Sequence, residues 1–334
     1  MTLNKSMLTV SPSPHLKSPT TTTTIMGDVI IALTPALIWA CYAFGWRSLY
    51  LTLISVASCV LFEWLFNLVT KRRNTIGDLS AVVTGILLAF NLPVTVPFWL
   101  PIAGGFFAMV IVKGLFGGIG KNILNPALAA RVFLFSWPVD MTTFTTPVRV
   151  RYNGFFVPAE LDGVAGATPL VGLKEGVLPT DMETPYSVLD LFIGNVPGTI
   201  GEVSALLLLI GFVYLLVRRV TTLHIPVAYI GTVALLTLVF PKGAAIPYMA
   251  SQLFSGGLFL GALFMANDYA TSPVTKNGRI IYGVGCGLLT VFFRYFGSSG
   301  EGVSYAIVIM NLLVWYIDRF TKPVRFGGKR SESK

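Results

Sequence analysis

Few side chains in this sequence are equipped to do chemistry, and most of them stand at the ends of long apolar runs. The ionisable ones beside such runs are Glu63, Asp78, Arg131, Glu202, Asp268, Arg294 and Glu301. A carboxylate at the centre of a bilayer costs roughly 2.5–3.5 kcal/mol on insertion scales, so one held deep would have a role in moving charge. At a span end the same residue simply fixes the helix at the interface, and most of these lie near span ends. Two polar stretches have a more specific pattern. In GKNILNPALAAR, Asn125 and Pro126 supply a helix N-cap and a first-turn proline, so a helix can begin there inside the membrane with its positive end toward a central cavity. The same pair also starts ordinary helices near a surface. In LFMANDYATSPVTKNGR, an apolar run ends abruptly in Asn267, Asp268, Thr271 and Ser272, which either mirror the first site or form a polar loop. A third stretch, DGVAGATP, offers a hydroxyl: Thr168 is able to accept a phosphoester, Gly166 and Ala167 leave the backbone approachable, and Pro169 limits its conformations. On its residues alone it reads as a turn.

The elements that must position these groups are membrane helices. Of 334 residues, 54% are hydrophobic and only 12% charged, and the mean hydropathy is +0.74. Soluble domains carry about twice that share of charge. Apolar runs recur without the alternating ten-residue segments of a membrane barrel, which predicts an all-α integral membrane protein with about ten spans. The expected spans are 28–45, 48–69, 78–92, 97–113, 122–137, 200–217, 225–240, 249–266, 279–296 and 302–319. Several are short of the ~20 residues of a full crossing, so some are expected to enter tilted or partly unwound. The organisation follows: a flexible tail over 1–27, a first membrane repeat over 28–137, an extramembrane segment over 138–198, a second repeat over 199–320 and a tail over 321–334.

The net charge of +9 does not indicate nucleic acid, because the basic residues fall between spans. Lys71, Arg72, Arg73, Lys113, Lys121, Arg218, Arg219, Lys276 and Arg279 and the basic run from Arg319 share one side if the N-terminus is cytoplasmic, whereas the other side holds few, such as Arg47 and Lys242. Both termini are therefore expected inside and 138–198 outside. The opening stretch carries Pro, Ser and a Thr run but no apolar core, so it does not read as a cleaved signal peptide. Cys41, Cys59 and Cys286 sit singly in apolar spans, which speaks against an iron–sulfur or zinc site built by this chain alone. TIGDLSA at 75–81 and TIGEVSA at 199–205 are near-copies, each at the entrance to a span. Three spans separate them, an odd number that reverses their orientation, as in inverted-repeat transporters with a site at the repeat interface.

Several motifs in one order, KNILNPALAARVFLF, DGVAGATPL, IGNVPGTIGE, FMANDYATSPVT and EGVSYAIVIMNLL, together with SPSPHLKSP and IMGDVIIALTPALIWACYAFG near the start, carry a resemblance over nearly the whole length. The chain resembles the membrane-embedded D subunit of the Rnf electron-transport complex (RnfD), whose sibling is the B subunit of the sodium-pumping NADH:quinone oxidoreductase (NqrB). The first span begins early, which favours the Rnf protein over its sibling. The resemblance implies two inverted five-helix repeats in a urea-transporter-like arrangement, and FMN joined through its phosphate to Thr168 by a separate flavin transferase. Asp162, Gly166 and Ala167 fill the motif around it, while Ala165 stands where Ser or Thr is more usual. It further implies a bacterial or archaeal cell membrane, partner Rnf subunits bearing FMN and iron–sulfur clusters, coupling of ferredoxin:NAD oxidoreduction to Na⁺ or H⁺ movement, and a noncovalent riboflavin in the membrane portion. No dinucleotide fingerprint follows a strand here, so NAD and ferredoxin fall to other chains. The competing expectation is a solute channel of the aquaporin or urea-transporter kind, prompted by the single NPA at 125–127; a purely structural anchor leaves Thr168 without purpose.

Overall fold

The computed structural model describes residues 20–72, 74–144, 168–178, 187–202, 204–297 and 301–323, and every regular element among them is helical. The first group is α1 (Thr22–Phe44), α2 (Trp46–Val69), α3 (Ser80–Phe90), α4 (Trp99–Phe106) continued by a π-helical stretch over Phe107–Gly114, and α5 (Pro126–Leu134). Three short helices follow: α6 (Pro138–Thr142), α7 (Pro169–Glu175) and α8 (Val188–Ile193). The second group is α9 (Ala205–Val217), α10 (His224–Val239), α11 (Ala245–Phe254), α12 (Leu258–Leu260) with a π-helical turn over Gly261–Met265, α13 (Lys276–Phe296) and α14 (Val303–Thr321).

Four of these, α1, α2, α13 and α14, are long and apolar enough to cross a membrane alone, and the pair α11–α12, bent by 62°, makes a fifth if taken as one broken span. The helices at 80–90, 99–114, 205–217 and 224–239 are apolar but shorter. The chain is thus a multi-pass membrane protein whose helices differ in kind. The run expected as one span at 249–266 is broken between Phe254 and Leu258, and that expected at 122–137 contains only the nine-residue α5. At the other end, α1 starts at Thr22, ahead of the expected 28, because Thr21 caps it by accepting from Thr24 N.

Two facing ends of the bundle are defined by contacts. At one, Thr23 Oγ1 donates to Gly77 O (3.0 Å), Arg279 Nη1 to Thr222 Oγ1 (3.1 Å) and Val274 N to Asp318 Oδ1 (3.1 Å). At the other, Trp39 Nε1 donates to Gly194 O (3.4 Å), Arg47 Nε to Val94 O (2.7 Å) and Lys174 Nζ to Gly297 O (2.6 Å). Helices α1 and α9 run antiparallel between them, with Asp28 near the start of α1 accepting from Tyr214 Oη (2.9 Å) and pairing with Arg218 (3.3 Å). The described residues 168–178 and 187–202 therefore lie at the end opposite to Thr22 and Thr321.

Small residues let the helices approach closely, the usual device where lipid removes the hydrophobic drive for association. A Cβ on Gly85 of α3 would stand 2.6 Å from Val56 Cα on α2, and one on Gly283 of α13 would stand 2.8 Å from Ile225 O on α10. The near-copies TIGD and TIGE sit at the two ends of α3. The first forms a 3₁₀ turn (Ile76–Asp78) that starts it, and the second is hydrogen-bonded to its far end through Gly201 N to Phe90 O (2.9 Å) and Ile200 N to Leu92 O (3.0 Å). They do not occupy equivalent places, since one precedes the third helix of its group and the other the first.

Candidate functional site

Three polar centres interrupt the apolar interior. The first is a cleft of about 100 Å³ between the two helix groups, toward the end that holds Thr22 and Thr321. Its walls are mostly apolar, and its polar groups include Ser80, Lys113, Asn122, Asn125, Asn267 and Asp268. Asn125 behaves as its position predicts: its Oδ1 accepts from Ala127 N (3.1 Å) and Leu128 N (3.4 Å), with Pro126 in the first turn. Unlike a surface cap it is 3% exposed, and its Nδ2 crosses to the other group to donate to Met265 O (3.2 Å). Asn311 of α14 completes the junction. With its amide oriented to satisfy its neighbours, it accepts from Asn125 N (3.2 Å) and donates to Thr271 O (3.2 Å). Helix α5 therefore begins inside the protein, with its positive end at the cleft.

Asp268 shares the cleft but not a bond with Asn125. Its Oδ2 accepts from Thr271 Oγ1 (3.2 Å) and its Oδ1 from Ala270 N (3.4 Å), closing a turn that ends the broken helix. The structure thus brings Asn125 and Asp268 to one cavity from opposite helix groups. Lys113 and Ser80, which periodicity alone hides within apolar runs, join them there. Lys113 Nζ donates to Ser80 Oγ (2.6 Å) and pairs with Glu63 (2.8 Å), whose Oε1 also accepts from Thr75 Oγ1 (2.7 Å). Asp78 is not deep. Its Oδ1 accepts from Ser80 N (2.8 Å) and holds Leu79 at φ 63°, a conformation uncommon for leucine, to launch α3.

The second centre is an ion-pair network that joins the groups nearer the other end. Arg131 of α5 donates through Nη1 to Asn91 Oδ1 (2.6 Å) and Glu202 Oε1 (2.9 Å), and through Nη2 to Glu301 Oε2. The side chains of Arg131 and Glu202 are each 3% exposed. Arg294 serves differently: its Nη2 donates to Ser255 O (3.0 Å) and its Nη1 to Gln252 O and Gln252 Oε1, which satisfies the carbonyls freed where α11 ends. Of the ionisable groups singled out from the sequence, three, Arg131, Glu202 and Glu301, are therefore joined in one network, and spacing gave no sign of this because they lie far apart in the chain.

The third centre is Thr168. It stands at the N-cap of α7, where its carbonyl accepts from Val171 N (2.9 Å) and its side chain makes no capping bond. Beyond it Leu170 and Leu173 are buried with Leu178 and Tyr248, and Tyr295 packs against them. Lys242 Nζ donates to Lys174 O (2.9 Å). Thr168 is thus carried on a short helix clamped to the ends of α10, α11 and α13, remote from the cleft. Asp162, Gly166 and Ala167 lie outside the described residues.

Comparison with known proteins places these features in a family context. The description NQR2, RnfD, RnfE family matches residues 9–327. The D subunit of the Na⁺-translocating ferredoxin:NAD⁺ oxidoreductase complex of Acetobacterium woodii is 45% identical over 328 residues, covering 97% of both chains. The D subunit of the proton-translocating ferredoxin:NAD⁺ oxidoreductase complex of Clostridium ljungdahlii is 38% identical, covering 98% of both. The D subunit of the ion-translocating oxidoreductase complex of Stutzerimonas stutzeri is 37% identical, covering 91% of both.

Proposed function

Because this chain belongs to the NQR2, RnfD, RnfE family, we propose that it is the D subunit of an ion-translocating ferredoxin:NAD⁺ oxidoreductase and carries electrons between partner subunits on FMN esterified to Thr168. End-to-end similarity to subunits of that name supports the assembly. The observation that carries the cofactor reading is the state of Thr168: its hydroxyl is not spent on capping α7, and the helix behind it is pinned, so an attached group would be held in place. FMN, when bound, supplies one- and two-electron transfer. The chain's own contribution is position. Leu170 and Leu173 anchor α7, Lys174 ties it to Gly297, and a covalent link at Thr168, which is itself 9% exposed, prevents loss of a soluble cofactor. The partners in this reading are the other Rnf subunits, among them an FMN-bearing one and iron–sulfur ones, and a flavin transferase.

The distribution of basic residues supports an orientation with both termini cytoplasmic and Thr168 outside, since Lys71, Arg72, Lys121, Arg218, Arg219, Lys276 and Arg279 gather at the end opposite to α7. The cleft, at about 100 Å³, is smaller than the roughly 300 Å³ of an ordinary small-molecule site, and the amides of Asn122, Asn125 and Asn267 already donate to the Leu124, Met265 and Thr222 carbonyls, so a noncovalent riboflavin is not assigned to it. Asp268 and Asn125 are in this reading the cleft groups that respond to the coupling ion, Na⁺ or H⁺. The solute-channel reading lacks support of this kind, since the one NPA has no second copy.

The test is mass spectrometry of the chain coexpressed with its flavin transferase. The peptide containing Thr168 is expected to gain the mass of FMN less water, and Thr168→Val to lose it while keeping shape. Flavin that persists on that peptide in the variant removes the assignment. Reporters after residue 20 and near Gly172 check the orientation, and a cytoplasmic signal at Gly172 overturns it.

A further inference from the structure

The break between α11 and α12 lies between the Thr168 helix and the ion-pair network, and it touches both. Gly256 has φ +69°, and a Cβ there would stand 2.5 Å from Leu170 Cδ1 and 3.6 Å from Arg294 Nη2. The next residue, Gly257, lies so close to the Glu202 carboxylate that a Cβ would collide with Oε1. Leu170, two residues from Thr168, is therefore seated on the bend, with a guanidinium on one side of it and a carboxylate on the other. From the bend the broken helix continues through Met265, which accepts from Asn125, to Asp268 in the cleft.

The charges around the bend are unevenly shared. Arg131 holds two carboxylates, those of Glu202 and Glu301, while Arg294 pairs with no carboxylate among the described residues and holds backbone carbonyls and an amide. Valences are left over on both sides. Among the described residues, Glu301 Oε1, Arg131 Nε and Arg294 Nε are buried without a partner, and so are Ser251 Oγ and Ser255 Oγ at the end of α11. Leaving a buried polar atom unpaired costs about 1–3 kcal/mol, so an alternative arrangement that pairs them competes with this one. A carboxylate already bound to one arginine, with a second arginine nearby lacking any, is a two-state element of the kind that coupling requires.

We propose that the bend at Gly256–Gly257 is a coupling switch in which Glu301 exchanges Arg131 for Arg294, driven by movement of α7 through the seat of Leu170 on Gly256. The inference rests on the reading that α7 carries the redox group at Thr168. Shift of Leu170 moves the Ser255 carbonyl, which releases Arg294 to take Glu301; Arg131 then keeps Glu202 alone. The same bend carries α12 and hence Asp268, so the exchange at one end of the protein alters the cleft at the other.

The test uses the intact complex in sealed vesicles, with electron flow from reduced ferredoxin to NAD and ion uptake measured together. In Leu170→Ala, Glu301→Gln and Arg294→Met, ions moved per electron are expected to fall at least about fivefold, the size of an ordinary coupling energy, while electron flow falls much less. Leu170→Met, which keeps the volume, restores the ratio. The double variant Glu301→Gln with Arg294→Met is expected to lose no more than either single. An unchanged ratio in Leu170→Ala, electron flow and uptake falling together, or additive losses in the double variant would overturn the switch. Covalent flavin is scored separately by fluorescence of the denatured chain: a parent without it removes the functional reading, whereas the ion-per-electron ratios still decide the switch.

Discussion

Replacing Arg131 by Met removes the guanidinium from between two carboxylates while nearly keeping its volume. Three partners lose their donor: Asn91, Glu202 and Glu301. Glu202 is 3% exposed and Glu301 13%, so neither carboxylate recovers full hydration. Breaking one partner out of a buried pair costs about 3–5 kcal/mol, because the remaining charge is stranded. At roughly 2–4 °C per kcal/mol for a large chain, the unfolding midpoint of the detergent-purified protein is expected to fall by about 6–20 °C, compared at one scan rate. The internal control is Arg218→Met, which breaks the pair with Asp28. Arg218 is 51% exposed and Asp28, though only 9% exposed, keeps its bond from Tyr214 Oη, so a smaller loss than that of Arg131→Met is expected. Adding Glu202→Gln and Glu301→Gln to Arg131→Met removes the stranded charges and is expected to recover much of the loss. If Arg131→Met melts within about 2 °C of the parent, below the shift that even 1 kcal/mol produces, the carboxylates are not stranded and the network is not what joins the two helix groups.

Gly85→Ala forces a methyl group against the α2 backbone at Val56; overpacking of this kind costs about 1–3 kcal/mol, and a thermal midpoint equal to the parent would show that α2 and α3 are not in direct contact. Asn125→Ala loses both cap bonds and the bond to Met265 O, so a loss of about 1–3 kcal/mol is expected, with Asn125→Ser recovering the cap portion only; chemical denaturation separates the two. Lys113→Met strands Glu63 and is expected to destabilise by about 3–5 kcal/mol, whereas Lys113→Met with Glu63→Gln recovers, which a melting comparison checks. Asp268→Asn retains a side chain able to accept from Ala270 N, so the fold and the flavin content are expected to hold while ion uptake by the complex falls; uptake equal to the parent would mark Asp268 as a turn residue alone.

The sequence determined that this is an α-helical membrane protein, because hydropathy is a one-dimensional property and runs of apolar residues carry it directly. It also determined local beginnings. Asn125 before Pro126 acts as a cap, since a cap depends on a side chain and the backbone a few residues away, whereas the Thr21 cap, which starts α1 inside the expected tail, went unread. The resemblance in DGVAGATP marked Thr168, but the motif residues before it fall outside the described part, and no fold argument replaces them. What only the tertiary structure decided is which groups meet. Asn91, Arg131, Glu202 and Glu301 come from four separate stretches, and α5 meets the TIGE turn and the head of α14 only after both helix groups have packed. The break at Ser255–Gly257 was hidden for a related reason. Its residues are apolar or small, so hydropathy runs through it unbroken, and the bend is held by an arginine 39 positions later in the chain that takes the carbonyls the helix gives up. Lys113 likewise looked like an interfacial charge at the end of an apolar run; its burial follows from Glu63 and Ser80 on neighbouring helices, and no single segment contains that information. Spans and caps are local energies, legible residue by residue, whereas a buried charge is tolerated only through partners that folding brings from elsewhere.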